Sequence, residues 1–278
     1  MSLKGRDWDA FPNIFKENFK GMTAFLTFVG FVIAIISLQF KDDTIISMIF
    51  WSGIILTLGS IIWVFQQSFP PNLICLDDYK DKNIPLDILT KIKPIPFKIG
   101  VIGCSKSGKT TFLRKCNFRS PPLARTNDIY ATNLQLPENK GNVVVLDGDG
   151  KQHTQQFVII EKADLLIIFF DHNETDDKNQ VVKKRLSEHE EFFEQIIFHL
   201  KSQKNIKYIH IIMNKNDLWQ KSISKEKLEN WFNEQITKLS NNGNYKLTSS
   251  FEHSNNKSEN IGEVIDIIYQ SKEKFNEK

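Results

Sequence analysis

Residues 99–112 read IGVIGCSKSGKTTF, an apolar run followed by a turn of small residues and a stretch able to start a helix. The run predicts a strand over 97–102, and the residues after Gly108 predict a helix from about 109 to 117. Between them, Gly103-Cys104-Ser105-Lys106-Ser107-Gly108-Lys109-Thr110 has the spacing of a Walker A turn. Small residues are needed because backbone N–H groups must wrap closely around a phosphate at a helix amino terminus. Lys109 would reach the β and γ phosphates. The Thr110 hydroxyl, with Thr111 beside it among the nucleotide-binding residues, would coordinate magnesium.

The elements that follow alternate as an α/β fold requires. TNLQLP (132–137) and NVVVLD (142–147) flank ENKG and predict an antiparallel hairpin. ADLLIIFFD (163–171) and IKYIHIIMN (206–214) predict central parallel strands covered on both faces. YKLTSS (245–250) supplies the last strand and the turn after it. Apolar stripes at threes and fours predict helices over 181–200, around Leu228 to Leu239, and around Ile261 to Tyr269. NNGN (241–244) is a turn, SNNKSEN (254–260) a polar loop, and 118–130 and 148–160 are loops.

A phosphate loop does not choose a base, but Asn214-Lys215-Asn216-Asp217 directly follows a predicted strand. The Asp217 carboxylate can accept both the ring N–H and the exocyclic amine of guanine, an arrangement adenine does not offer. Asn214 can bond to the purine edge and tie strand ends together, and the Lys215 stem can cover the base.

Over about residues 97–272 this set of motifs resembles the Ras-like and Arf-like small GTPases. The resemblance implies a P-loop NTPase G domain with a mostly parallel sheet and helices on both faces, GTP or GDP as ligand, and Mg2+ as cofactor. It places Gly103 to Thr110 as phosphate loop, Asp147-Gly148-Asp149-Gly150 as DxxG, and Asn214 to Asp217 as NKxD. It also places Thr248-Ser249-Ser250 as the short turn whose backbone approaches the guanine oxygen. Asp147 would position hydrated magnesium and the Gly150 N–H would sense the γ-phosphate. The switch threonine is Thr126 or, at weaker spacing, Thr132.

One departure bears on turnover. The family usually has glutamine after DxxG, and here Lys151 stands there, followed by Gln152 and His153. Lysine is a point cation and cannot orient water in the same way. Either Gln152 or His153 substitutes from a shifted position, a partner supplies the group, or hydrolysis is negligible. The resemblance therefore implies a GTPase of low intrinsic activity that switches partner binding with nucleotide state, the rival reading being a catalytically silent GTP-binding interaction module.

The first quarter of the chain is apolar. Gly21 to Phe40 and Thr44 to Pro70 carry no charge, and each is long enough for a hydrocarbon core about 30 Å thick. Only Lys41, Asp42 and Asp43 separate them, which predicts a transmembrane α-helical hairpin over 21–70 with both chain ends on one side. Lys4, Arg6, Lys16 and Lys20 precede the first span and favour a cytoplasmic side for both ends and for the G domain. Trp8, Phe11, Phe15 and Phe19 either lie along the membrane interface or anchor a tail over 1–20. Residues 71–96 read as a linker, with a short helix near 85–91, and 273–278 as a tail.

The spans carry no ionisable side chain that suggests a permeation path, which argues for an anchor rather than a channel. Gly21, Ala24, Gly30, Ala34, Gly53 and Gly59 could support helix packing, and self-association through the hairpin stays open. Expected partners are the lipid bilayer and a protein effector or activator. Thirty-six basic residues dispersed among 33 acidic ones, a net charge of +3, give nucleic-acid binding no support. Cys75, Cys104 and Cys116 show no CxxC pairing, which excludes a disulfide scaffold or zinc site.

Overall fold

Ile99 and Val101 lie on one side of the strand Lys98–Gly103 (β2), Gly100 and Ile102 on the other, and all four are buried. That pattern requires a strand covered on both faces. The computed structural model describes residues 6–37, 43–79, 82–116, 129–137, 140–148, 152–176, 178–202, 208–241 and 245–277. They form two units, Met1–Ile74 and Cys75–Lys278.

In the second unit a seven-stranded sheet runs β1-β3-β4-β2-β5-β6-β7. Its strands are Asn83–Ile84 (β1), β2, Tyr130–Gln135 (β3), Asn142–Asp147 (β4), Leu165–Phe170 (β5), Tyr208–Met213 (β6) and Lys246–Ser250 (β7). β4, β2, β5, β6 and β7 pair in parallel, while β3 is antiparallel to β4 and β1 antiparallel to β3. Helices cover both faces. Ile99, Val101, Leu165, Ile167 and Phe169 pack with Phe112 of Lys109–Lys115 (α3) and with Ile261, Val264 and Ile268 of Ser258–Asn276 (α8). On the opposite face, Gly100 lies against Ile159 of His153–Lys162 (α4). Phe170 there meets Phe193 of Lys183–Ser202 (α5) and Trp231 and Phe232 of Lys225–Ser240 (α7), ring to ring.

Several boundaries differ from the sequence reading. The 71–96 segment is not all linker: its residues from Cys75 belong to the second unit, and Asn83 and Ile84 pair with Thr132 and Ala131. Turns closed by Ile88 N–H to Pro85 C=O and Lys91 N–H to Ile88 C=O replace the expected helix at 85–91. The 148–160 loop gives way to α4 at His153, because Gln155, Gln156, Ile159 and Ile160 form a buried helical face. α8 continues to Asn276, where the Phe275 ring packs at a tilt against Phe97, so 273–276 is helix rather than tail.

The first unit holds two helices, Phe11–Ser37 (α1) and Asp43–Gln67 (α2). α1 begins ten residues before Gly21, correcting the 1–20 tail. Pro12 suits a first helical turn, and Phe11, Phe15 and Phe19 repeat every four residues. These rings stack on one another, and Phe11 and Phe15 also meet Phe65 of α2. The Asn18 amide donates to Ser68 Oγ (3.1 Å) and Arg6 Nη1 to the Pro70 carbonyl (2.6 Å), so the start of α1 lies beside the end of α2. Gly21, Gly30, Gly53 and Gly59 face open space, so they do not pack this hairpin; among the described residues of α1 and α2, Met22 and Val64 are buried.

Elsewhere the helices expose apolar side chains, with Phe28 at 67%, Met48 at 66% and Ile55 at 69%. Among the described residues one segment, Ile46–Gln67, is long and apolar enough to cross a bilayer, and almost none of it is buried in the protein. The expectation of two spans therefore has one such segment in this structure.

His210, inside β6, titrates within an accessible range. Burial pushes its pKa down to about 4, against a bond from Nδ1 to the Thr248 carbonyl. Burial also lowers His253, His189 and His172. These imidazoles are neutral in the fold and charge first in the unfolded chain, so stability is full above about pH 6.5 and is lost as pH falls toward 4. Thermal melts of the full chain in detergent should show the midpoint dropping across that window. His210→Phe should flatten the slope by about 3 kcal/mol over the window, and an unchanged slope would rule out His210 as its source.

Candidate functional site

The carboxyl ends of β2, β4, β5 and β6 bring Gly103, Asp147, Asp171 and Asn214 to one edge of the sheet, where open α/β sheets receive ligands. The turn from Gly103 to Lys109 is closely built. Gly103 has φ +148°, and a Cβ there would sit 2.5 Å from the Phe169 carbonyl oxygen. Gly108 has φ +100°, and its Cβ would meet Asn214 Nδ2 at 2.1 Å. Lys106 is left-handed at φ +65° without being glycine, a conformation held by its surroundings.

The buried Lys109 ammonium donates to the carbonyls of Gly103 (2.6 Å) and Cys104 (2.9 Å), curled over the loop it starts from. Burial lowers its pKa, while Asp147 opposes that shift. Burial pushes the Cys104 thiol up to about 11, so it is no nucleophile. Ser107 Oγ is buried with no hydrogen-bond partner among the described residues. Thr110 and Thr111 are exposed in the first turn of α3, and Asp147 Oδ1 accepts the Gly148 N–H at 2.9 Å.

Asn214 joins this turn to the loops after β6 and β7. Its Nδ2 donates to the Ser107 carbonyl (3.0 Å), its Oδ1 accepts the Asn255 N–H (3.3 Å), and Asn255 Nδ2 donates to the Gly108 carbonyl (2.8 Å). Asp217 stands at the rim in the short helix Asn216–Trp219 (α6). Ser254 Oγ donates to its Oδ1 (2.7 Å) and Asn256 Nδ2 to its Oδ2 (3.1 Å). Burial alone would raise the Asp217 pKa, but these bonds hold it below its usual value.

Lys215 is left-handed at φ +63°, and its ammonium points inward, to Asp171 Oδ2 (2.9 Å) and the Asn173 carbonyl (2.8 Å). Asp171 is fully buried and also accepts from Arg185 Nε and approaches His189 Nε2, both at 2.6 Å. Burial would raise its pKa. The His189 hydrogen bond and the charges of Arg185 and Lys215 outweigh that and hold it far below the carboxylate range.

Other expected residues fall elsewhere. Thr248, Ser249 and Ser250 are inside β7, paired in register with His210, Ile211 and Ile212, not in a turn. The loop that reaches Asp217 is 253–256, and the signal available for it was the SNNK run at 254–257, serine first and lysine last, just before α8. His153 Nδ1 bonds Gln195 Oε1 (2.7 Å) and its ring lies by Phe192, so it faces α5. Gln152 Oε1 accepts from Gln155 Nε2 (2.9 Å). Gln156, which sequence reasoning did not mark, presents Oε1 to the Gly103 N–H (3.4 Å). Thr132 lies in β3 opposite Val145. Thr126, Gly150 and Lys151 lie outside the described residues. Asp171, Arg185 and His189 were also missed, since they are distant in sequence and match no short pattern.

No protein-family model and no curated protein matches this chain. Solved structures with a similar arrangement include a bacterial selenocysteine-specific elongation factor, EF-Sec, at 19% identity and TM-score 0.45 over 64% of this chain. The match spans 29% of that factor's chain. The Arl6 BBS3 small GTPase from Trypanosoma brucei, with bound GppNp, is 16% identical at TM-score 0.45, covering 63% of this chain and 96% of its own.

Gly108→Ala should destabilise the fold by about 1–3 kcal/mol, because the methyl group meets both a left-handed backbone and the Asn214 amide. Denaturant unfolding of the full chain in detergent reads this. A loss below about 0.5 kcal/mol would mean that the loop relaxes without displacing Asn214.

Proposed function

We propose that this chain is a membrane-anchored guanine-nucleotide-binding protein. The observation that carries the reading is the Asn214 bridge, which holds a phosphate-sized turn and the Asp217 carboxylate in one constellation. Asp217 stays charged beside Ser254 and Asn256, ready to accept from a base that offers two adjacent N–H donors, as guanine does. The orphan Ser107 Oγ and the N–H groups of the turn are suited to phosphate oxygens. On binding, Lys109 would exchange its two carbonyl contacts for the β and γ phosphates. The Thr110 hydroxyl and the Asp147 carboxylate are hard oxygen donors suited to Mg2+, with phosphates and water completing the shell. The magnesium ion would supply neutralisation of phosphate charge.

Hydrolysis in this reading is slow. The side chains of His153 and Gln152 are engaged with Gln195 and Gln155. The same contacts favour the silent-module reading, in which bound GTP serves as structure and partners read the occupied state. Competition against labelled GDP with magnesium should show displacement by GTP and GDP and not by ATP, with the guanine preference reduced at least about tenfold in Asp217→Ala. Phosphate release over many turnovers, abolished by Lys109→Ala, supports the slow GTPase; none in a binding-competent protein supports the silent module. Equal displacement by ATP would sink the guanine assignment.

The anchor is proposed as a two-span hairpin with both ends of the chain in the cytoplasm. α1 and α2 are about 40 Å and 37 Å long, enough for a hydrocarbon core with ends to spare. The aromatic rings where α1 starts and α2 ends suit a membrane interface. The full chain should stay in the membrane pellet through an alkaline carbonate wash. In sealed vesicles, a single thiol introduced by Lys41→Cys or by Lys278→Cys into a variant lacking the native cysteines should react with an impermeant reagent from opposite sides. Reaction of both from one side would overturn the two-span topology.

A further inference from the structure

We propose that Arg185 is a positioning residue that fixes the orientation of the 105–106 peptide, and so aims the Lys106 N–H at the place where a β-phosphate would bind. This rests on the guanine-nucleotide reading and adds to it a residue outside every motif of the sequence. Arg185 sits near the start of α5 with its side chain 4% exposed, and its fork reaches three acceptors on three segments. Nε donates to Asp171 Oδ1 (2.6 Å), Nη1 to Glu188 Oε2 (3.2 Å) and Nη2 to the Ser105 carbonyl (2.7 Å).

The third bond gives the guanidinium its leverage. In a trans peptide the C=O and the next N–H point in opposite directions. Holding the Ser105 oxygen toward α5 therefore turns the Lys106 N–H away from α5. The left-handed φ of Lys106 is the geometry in which successive N–H groups converge into an anion-binding concavity. Were the peptide to flip, a carbonyl oxygen would face the anion instead.

Stability alone does not account for the arrangement. Desolvating two charges costs about what their attraction returns, and apolar side chains of similar volume fill such a site as well or better. What the fork adds is direction, because its donors are fixed in one plane whereas those of an ammonium rotate freely at the end of a flexible stem. Asp171 passes the constraint on: its other oxygen holds the Lys215 ammonium, which also donates to the Asn173 carbonyl and pairs with Asp176. The turn proposed for phosphate and the loop proposed for the base are thus ordered through one carboxylate.

The test measures GDP and GMP affinities of the full chain in detergent micelles, for the wild type, Arg185→Gln and Arg185→Lys, with a thermal melt of each. GMP lacks the β-phosphate, so it reports losses that do not involve that contact. GDP should weaken about tenfold or more in both variants while GMP changes less than about threefold, the scale of one charge-assisted hydrogen bond. Arg185→Lys keeps the charge beside Asp171 and carries the test if Arg185→Gln does not fold. Equal weakening of both nucleotides in step with the melting temperature, or a GDP-to-GMP ratio unchanged in a folded variant, would overturn the proposal. A wild type that binds neither nucleotide overturns the guanine reading itself, an outcome separate from an unchanged ratio.

Discussion

The Asn214 carboxamide spans a gap that no backbone ladder crosses. β2 and β6 are not neighbours in the sheet, since β5 lies between them. The turns at their carboxyl ends therefore share no strand pairing, and a side chain with a donor for the first turn and an acceptor for the loop after β7 ties the three together. Asparagine supplies both on a short stem, donating to Ser107 and accepting from Asn255. Gly108 has to be glycine because this amide occupies the space where a Cβ would lie. The site thus depends on a contact of a few atoms, and the sheet order makes that contact necessary.

Beneath the bridge lies a second constraint of a different kind. Asp171 is fully buried and survives as a carboxylate because cationic and imidazole donors reach both of its oxygens. Each partner comes from a different place: Arg185 and His189 from α5, Lys215 from the loop after β6. Removing one would leave the rest uncompensated in a low-dielectric interior, which is why such clusters act as units. The turn after β2 is held by Asn214 at the Ser107 carbonyl and by Arg185 at the Ser105 carbonyl.

The helical unit obeys another solvent rule. Its aromatic end is held by rings and by the Arg6 and Asn18 bonds, whereas Phe28, Met48 and Ile55 present apolar surface that water would not tolerate at this density. The glycines that pattern reading assigns to packing face open space, so close approach of backbones is not what holds α1 to α2.

Periodicity determined much of this protein. Unbroken apolar runs gave β5 and β6, an ENKG spacer gave the β3–β4 hairpin, and the glycine spacing of 103–108 marked the turn, because these features depend on neighbours within a few residues. Helix α4 was hidden, since its buried face includes Gln155 and Gln156, which read as polar loop until the sheet is there to cover them. β1 was hidden too: two residues carry no period, and Asn83 and Ile84 become a strand only by pairing with β3. The exchange of Thr248–Ser250 for Ser254–Asn256 beside Asp217 has the same origin, because where a strand ends is set by the register of its partner β6. Asp171 and Arg185 stand fourteen residues apart and Ser105 a further sixty-six before them. Local sequence selects conformations, but only the folded sheet decides which distant charges share one low-dielectric space and must therefore be paired.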